Sequence, residues 1–261
     1  MHIVAIHSLK EDKQNMAGDL AAVMGITVYE ALSRLRPPGG GPVVVAVFAG
    51  HDPAEELTAR LRSGGFHASL LTAGEIEAEA RHWPVKKFTL GELELKAEKA
   101  GSGSRTIAYR DLKLILRGTG ISHTTETKTS KERSVSLGRA LLTVGMMISK
   151  TTKTVREVTT QQREGFFSLY AGEGPPLFFN ENVLAYETLG PALRLSRGAN
   201  FLFLLAELRR RCPGAVYDER LLNRAGQATL LGPSLTPEEH LVVATALLAK
   251  VLRAERKEQK A

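Results

Sequence analysis

Several things are scarce in this chain of 261 residues, and each scarcity narrows what it does. There is one cysteine, Cys212, so no disulfide forms within a single chain. It stands between Arg211 and Pro213 with no histidine nearby in sequence. Its arginines would favour a reactive thiolate, and the blander expectation is a packing role at a helix end. Aromatic residues make up only 6% of the chain, with a single tryptophan, which argues against the stacking platforms of single-strand nucleic-acid binders. No apolar run approaches the roughly 20 residues of a membrane-spanning helix. The first nine residues lack the basic and long apolar regions of a signal peptide, so a cytoplasmic location is expected, extending to the periphery of the inner membrane face. The seven histidines show no metal-ligand spacing, and neither a phosphate loop nor a Gly-x-Ser-x-Gly elbow is present. No catalytic residue, metal or cofactor is therefore assigned, although a triad could still assemble from distant residues because triads are geometric.

What is abundant is positive charge, and it is unevenly placed. The net charge is +7. Residues 1–80 carry six Lys and Arg against ten Asp and Glu, so the front is acidic and the rest strongly basic. Residues 121–163 alone hold eight Lys and Arg against three Glu. The candidate contacts to a partner or an anionic surface are Lys128, Lys131, Arg133, Arg139, Lys150, Lys153 and Arg156. Between the basic, Thr- and Ser-rich flanks lies a nearly uncharged run with Leu141, Leu142, Val144, Met146, Met147 and Ile148 as its apolar tip. Thr and Val favour extended backbone, and interleaved charge protects an exposed strand, so the flanks read as a two-stranded arm. An isolated hairpin is marginal in water, and its tip needs a surface to bury against. That surface is a protein partner, a second copy of the chain, or an anionic membrane. The competing expectation is that residues 137–148 fold back into the core. Nucleic acid is disfavoured, because the basic segment has no aromatic residue and no recognised motif.

The front of the chain is legible from its caps. Residues 2–6 suit a strand and residues 19–24 a helix that ends at Gly25. Thr27 and Glu30 have capping-box spacing before a second helix that runs to Arg36, and residues 37–42, rich in Pro and Gly, stop it. Residues 43–48 are a buried strand by β-branching. Asp52, Pro53 and Glu55 have the order of N-cap, first position and third position of a helix that Gly64 and Gly65 close, before a last strand at residues 66–71. This β-α-α-β-α-β order, with Met24, Gly25 and Ile26 at the break, Tyr29 to Leu32 after it, Glu55 to Leu61 in the third helix and Gly64-Gly65-Phe66 beyond, resembles the C-terminal domain of the bacterial ribosomal stalk protein and the related Clp protease adaptor. The resemblance implies a small docking module over residues 1–74. Where the adaptor carries an Asn/Asp pair to grip a substrate's amino terminus, this chain has His7, Ser8, Leu9 and Lys10, so degron recognition is not carried over.

A helical connector at residues 75–83 leads to a change of period. Residues 88–95 alternate, residues 105–109 follow a Gly-Ser turn, and residues 111–116, 165–170 and 176–179 are further strands. A helix over residues 200–211 follows, with Asn200 as its N-cap. Successive hairpins closed by one helix resemble a pleckstrin-homology-like domain over residues 84–213, with 121–163 inserted as the arm. Residues 214–234 read as a surface connection. Thr236 and Glu239 open a terminal helix that is apolar nearly all round from Leu241 to Ala249, as a buried helix is, which leaves it open to a self-association role as well. The expectation is an α+β protein acting as a non-catalytic adaptor or scaffold, with membrane binding through the arm as the alternative and an enzyme of unknown class third.

Overall fold

The computed structural model describes residues 1–8, 13–35, 42–134, 150–172, 174–222 and 237–258, with residues 13, 121–134, 150–162, 237, 238, 257 and 258 described by their backbone alone. The chain is α+β. Residues Met1–Gly120 and Glu164–Ala261 form one compact unit, and Ile121–Arg163 a second.

The first unit opens with β1 (His2–His7), α1 (Lys13–Met24), α2 (Val28–Arg34), β2 (Val43–Phe48), α3 (His51–Ser63) and β3 (His67–Leu71). The strands make an antiparallel sheet in the order β2-β1-β3. Alternation along β1 divides its side chains between two cores. Val4 and Ile6 join Leu20, Ala31, Leu57 and Leu61 of the three helices, while Ile3 and Ala5 belong to a different cluster on the other face. Thr27 caps α2 in a reciprocal box with Glu30, and Leu9 and Lys10 lie outside the described residues. The start of α3 differs from the sequence reading. Its N-cap is Gly50 and not Asp52, and no side chain caps it. Asp52 instead sits in the first turn, where its charge suits the helix dipole and where Pro53 sacrifices no helical hydrogen bond.

A second box, Thr72 with Glu75, starts α4 (Ala73–Ala80). Three short strands follow the edge strand β4 (Trp83–Val85): β5 (Lys87–Leu90), β6 (Glu94–Glu98) and β7 (Ser104–Ala108) form an antiparallel meander. The alternating run at 88–95 is thus not one strand. It turns at Gly91, whose N–H donates to the Glu94 carbonyl at 2.9 Å, and Leu90 pairs back with Leu95. The long strands β8 (Leu112–Ser134) and β9 (Lys150–Ala171), with β10 (Leu177–Asn180) and β11 (Val216–Leu221), complete a five-stranded sheet ordered β11-β8-β9-β10-β4. Strand β11 lies where a surface connection is expected. It pairs in parallel with β8 at the sheet edge, where Asp218, Glu219 and Arg220 reach solvent and disguise it in the sequence. Gly118 of β8 is a steric requirement, because a Cβ there would stand 2.5 Å from Phe166 and 2.8 Å from Leu221.

Helix α5 (Arg197–Arg211) covers the other face with Phe201, Leu204, Leu205 and Leu208, in one cluster with Phe167, Phe179 and Leu95. Its N-cap is Ser196, whose Oγ accepts from the Ala199 N–H at 3.1 Å. Asn200 is buried inside the helix instead, where its amide accepts from the Arg194 N–H at 2.6 Å and donates to the Arg194 carbonyl at 3.1 Å, tying down the preceding loop. Cys212 closes α5 as its C-cap and is buried. Burial pushes its thiol up to about 11, so it is a protonated packing group.

The terminal helix α6 (Pro237–Glu258) is buried from Val243 to Ala249 and again at Val251 and Leu252. Thr236 lies outside the described residues. The apolar residues of α6 share one cluster with Ile3, Ala5 and Leu71 of the three-stranded sheet and with Leu114, Leu116, Phe166 and Leu221 of the five-stranded one. Replacing Leu247, which is fully buried, by Ala should cost about 2–5 kcal/mol in urea unfolding followed by Trp83 fluorescence. Leu195, fully exposed, should tolerate Ala within about 0.5 kcal/mol. Equal effects at the two positions would show that α6 does not carry the core.

Candidate functional site

The residues singled out from sequence fall in the second unit. Lys128, Lys131 and Arg133 are positions of β8, and Lys150, Lys153 and Arg156 are positions of β9. The two strands are hydrogen-bonded neighbours. Arg139 and the apolar tip, Leu141, Leu142, Val144, Met146, Met147 and Ile148, lie outside the described residues.

Sequence reasoning missed a cleft of about 750 Å³ in the first unit, formed by α4, α6 and the segment joining β9 to β10. On α6 it is faced by Ala246, Ala249, Lys250, Arg253 and Ala254, whose spacing of three and four places them along one stripe of the helix. On α4 the facing residues include Glu75 and Glu79, again four apart. Leu71, Tyr170 and Pro176 close its floor, and all three are buried. The alanines leave the space, and the longer side chains supply charge.

Glu75 is fixed twice. Its Oε2 accepts from the Thr72 N–H at 2.8 Å, and the Lys250 ammonium donates to Oε1 at 2.6 Å and to Oε2 at 2.8 Å. Burial works against its charge, and the Lys250 and Thr72 hydrogen bonds prevail, holding the carboxyl below its ordinary range. Lys250 also donates to the Leu70 carbonyl. Glu79 is different. Burial raises its carboxyl, while the hydrogen bond from Tyr170 and the charge of Arg253 act in the opposite direction without overcoming it. The Tyr170 hydroxyl donates to Glu79 Oε1 at 2.5 Å, and burial together with the neighbouring carboxylate keeps that hydroxyl protonated far above neutral pH. A carboxyl that holds its proton unusually well therefore sits in a cleft beside an arginine, an arrangement that suits ligand binding or proton transfer.

A second polar cluster joins β1, β3 and α6. His7 Nε2 lies 3.3 Å from Ser69 Oγ, and His7 Nδ1 lies 3.3 Å from Glu255 Oε1. The order of groups is that of a nucleophile, a base and an orienting carboxylate. Yet Ser69 and His7 are each only 7% exposed, and a nucleophile needs to meet its substrate. The cluster acts as a polar clasp between α6 and the sheet. Ser8 extends it by donating to Glu255 Oε1 at 2.9 Å, holding its own backbone at a φ of 54° that disfavours a residue with a side chain. Among the described residues no group of three His, Cys, Asp or Glu is placed to hold a metal ion, and no helix is long and apolar enough to cross a membrane.

The raised carboxyl of Glu79 fixes the sign of a pH effect. The folded chain holds a proton that the unfolded chain releases near the ordinary value of 4.5, so the stability from this group is present below that pH and is lost as pH rises through the folded value. Glu79→Gln keeps an acceptor for Tyr170 and removes the titration. Its stability relative to the parent chain should increase in urea unfolding as pH rises above the ordinary value of 4.5, and a difference that stays flat with pH would overturn the assignment. Set against known proteins, the chain matches no family model, no curated protein and no solved structure.

Proposed function

We propose that the protein is a non-catalytic adaptor or scaffold that binds a protein partner through the β8–β9 ribbon. The observation that carries this reading is that two strands of 23 and 22 residues continue from the five-stranded sheet into a compact unit of their own, residues 121–163. At about 3.3 Å per residue, the stretch of β8 from 121 to 134 covers about 45 Å of extended chain. A ribbon of that length which carries a large share of the net positive charge suits recognition of an acidic surface. The β-α-α-β-α-β order of the front, on a sheet ordered β2-β1-β3, supports a docking module of the stalk and Clp-adaptor kind. The antiparallel meander, the hairpin strands and α5 support a pleckstrin-homology-like scaffold into which the ribbon is inserted. The terminal helix does not enter the contact, since its apolar residues are buried within its own chain.

Photo-crosslinking tests the reading. A benzophenone residue placed at ribbon positions of the full chain in cells should give a discrete protein adduct, either with another protein or with a second copy of the chain. Changing Lys128, Lys131 and Arg133 together to Glu should reduce that adduct at least about tenfold, and raised salt should weaken it. Absence of any protein adduct, with salt-sensitive pelleting of the purified chain on phosphatidylserine vesicles and none on phosphatidylcholine, would replace the partner by an anionic membrane.

A further inference from the structure

The geometry points to the cleft between α4 and α6 as a binding site for a small monocarboxylate with an apolar body, its carboxylate paired with the guanidinium of Arg253. This site lies in the first unit, and the inference is independent of the ribbon's role.

Three features define what fits. The volume of about 750 Å³ falls in the range of small-molecule sites, roughly 300–1,000 Å³. Its floor at Leu71, Pro176, Ala246 and Ala249 is buried and apolar, which favours a hydrocarbon or aromatic body over a sugar. Charge sets the remaining end of the ligand. Lys250 and Glu75 neutralise one another at 2.6 Å, and Arg81 at the rim is matched by Glu77 at 3.5 Å. Arg253 makes no hydrogen bond or ion pair with any described residue, although its charge is felt by Glu79 and Tyr170. A guanidinium presents a planar fork of N–H donors that matches a carboxylate with two parallel hydrogen bonds. With Glu79 protonated, Arg253 is the one positive charge left over among the described residues of the cleft, which calls for one negative charge, and a doubly charged phosphate would exceed it.

Glu79 makes the binding proton-linked. A ligand carboxylate at Arg253 places a second negative charge beside Glu79, and two carboxylates in one low-dielectric site do not both stay ionised. The groups around Glu79 decide where the proton goes. Tyr170 from β9 is a committed donor, Lys250 and Glu75 are occupied with each other, and Arg253 stays charged. His82, just after α4, gives its backbone N–H to Glu79's carbonyl and sets its ring against Phe178, tilted by 37° with the ring centres 4.3 Å apart. Burial pulls the basicity of that ring down. Glu79 is thus the group that takes up the proton as the ligand enters.

The test is isothermal titration calorimetry of the full chain with benzoate and with hexanoate, in two buffers of different ionisation enthalpy, with benzyl alcohol and inorganic phosphate as comparisons. Both acids should bind with uptake of up to one proton, and affinity should fall by up to about tenfold per pH unit as pH rises through the range in which Glu79 ionises. Benzyl alcohol and phosphate should bind at least about tenfold more weakly. Glu79→Gln should abolish the proton uptake and bind benzoate at about pH 8 more tightly than the parent chain, while Arg253→Ala should lose at least about tenfold in affinity. Ala78→Phe, which fills the cleft from an exposed position without touching a charge, should block both acids while the variant keeps its thermal transition. Failure of both acids to bind the folded parent chain at any pH, preference for phosphate, or benzoate affinity unchanged in Arg253→Ala or Ala78→Phe would each overturn the assignment.

Discussion

A helix that is apolar nearly all round has no face to give to water, and the first unit is arranged around that constraint. Helix α6 joins residues from two sheets in a single cluster, so the small β-α-α-β-α-β front is held to the rest through it. The polar residues of α6 then specify its seating where apolar contact alone would allow sliding. Lys250 reaches Glu75 and the Leu70 carbonyl, Glu255 reaches His7 and Ser8, and Arg256 donates to the carbonyls of Lys113 and Gly214. These contacts lie along successive turns of one helix and address both the front and the five-stranded sheet. Non-directional burial supplies the attraction, and the hydrogen bonds supply the register.

The same seating generates the cleft. Alanines on the stripe of α6 facing α4 cannot fill the gap that the longer side chains hold open, and the helix cannot move closer without breaking the Lys250 contacts. Glu79 is left where water is scarce, and its nearest partners are a phenol and an arginine. Its protonation behaviour is thus a consequence of packing, with no charge cluster required to explain it.

Much of the fold was legible because it obeys local rules. The Thr27 and Glu30 box, the β-branched strand at 43–48 and the buried terminal helix are each written in contiguous residues whose period or capping chemistry admits one reading. The errors have equally physical sources. Asp52 offers ideal capping chemistry, yet α3 begins at His51 because the backbone is already helical there. Asn200 looks like a cap and serves as a buried tether, since hydrogen-bonding capacity does not reveal which side of a helix boundary a residue occupies. Strand β11 was hidden by three consecutive charged residues, which an edge strand can carry and a central strand cannot. The cleft left no local mark at all. Glu79, Tyr170 and Arg253 come from three elements spread across the chain, and only the tertiary fold brings them together.

The charge asymmetry of the sequence divides in the same way. The front is acidic and the back basic, which on its own reads as a signal for external anions. Part of that complementarity is used internally: Glu75 of the front pairs with Lys250 of the terminal helix, and Glu255 of that helix faces His7. Charges placed against one another across a folded interior are unavailable to a distant partner, because their fields largely cancel within a Debye length of about 8–10 Å. Residues 121–163 carry eight Lys and Arg against three Glu within their own unit, an excess that the unit cannot neutralise from its own residues. A net field of one sign on an extended ribbon steers encounter more strongly than the same charges dispersed over a compact surface. The distribution of charge therefore divides along one chain, with paired charges that seat a helix and an unbalanced positive excess confined to residues 121–163.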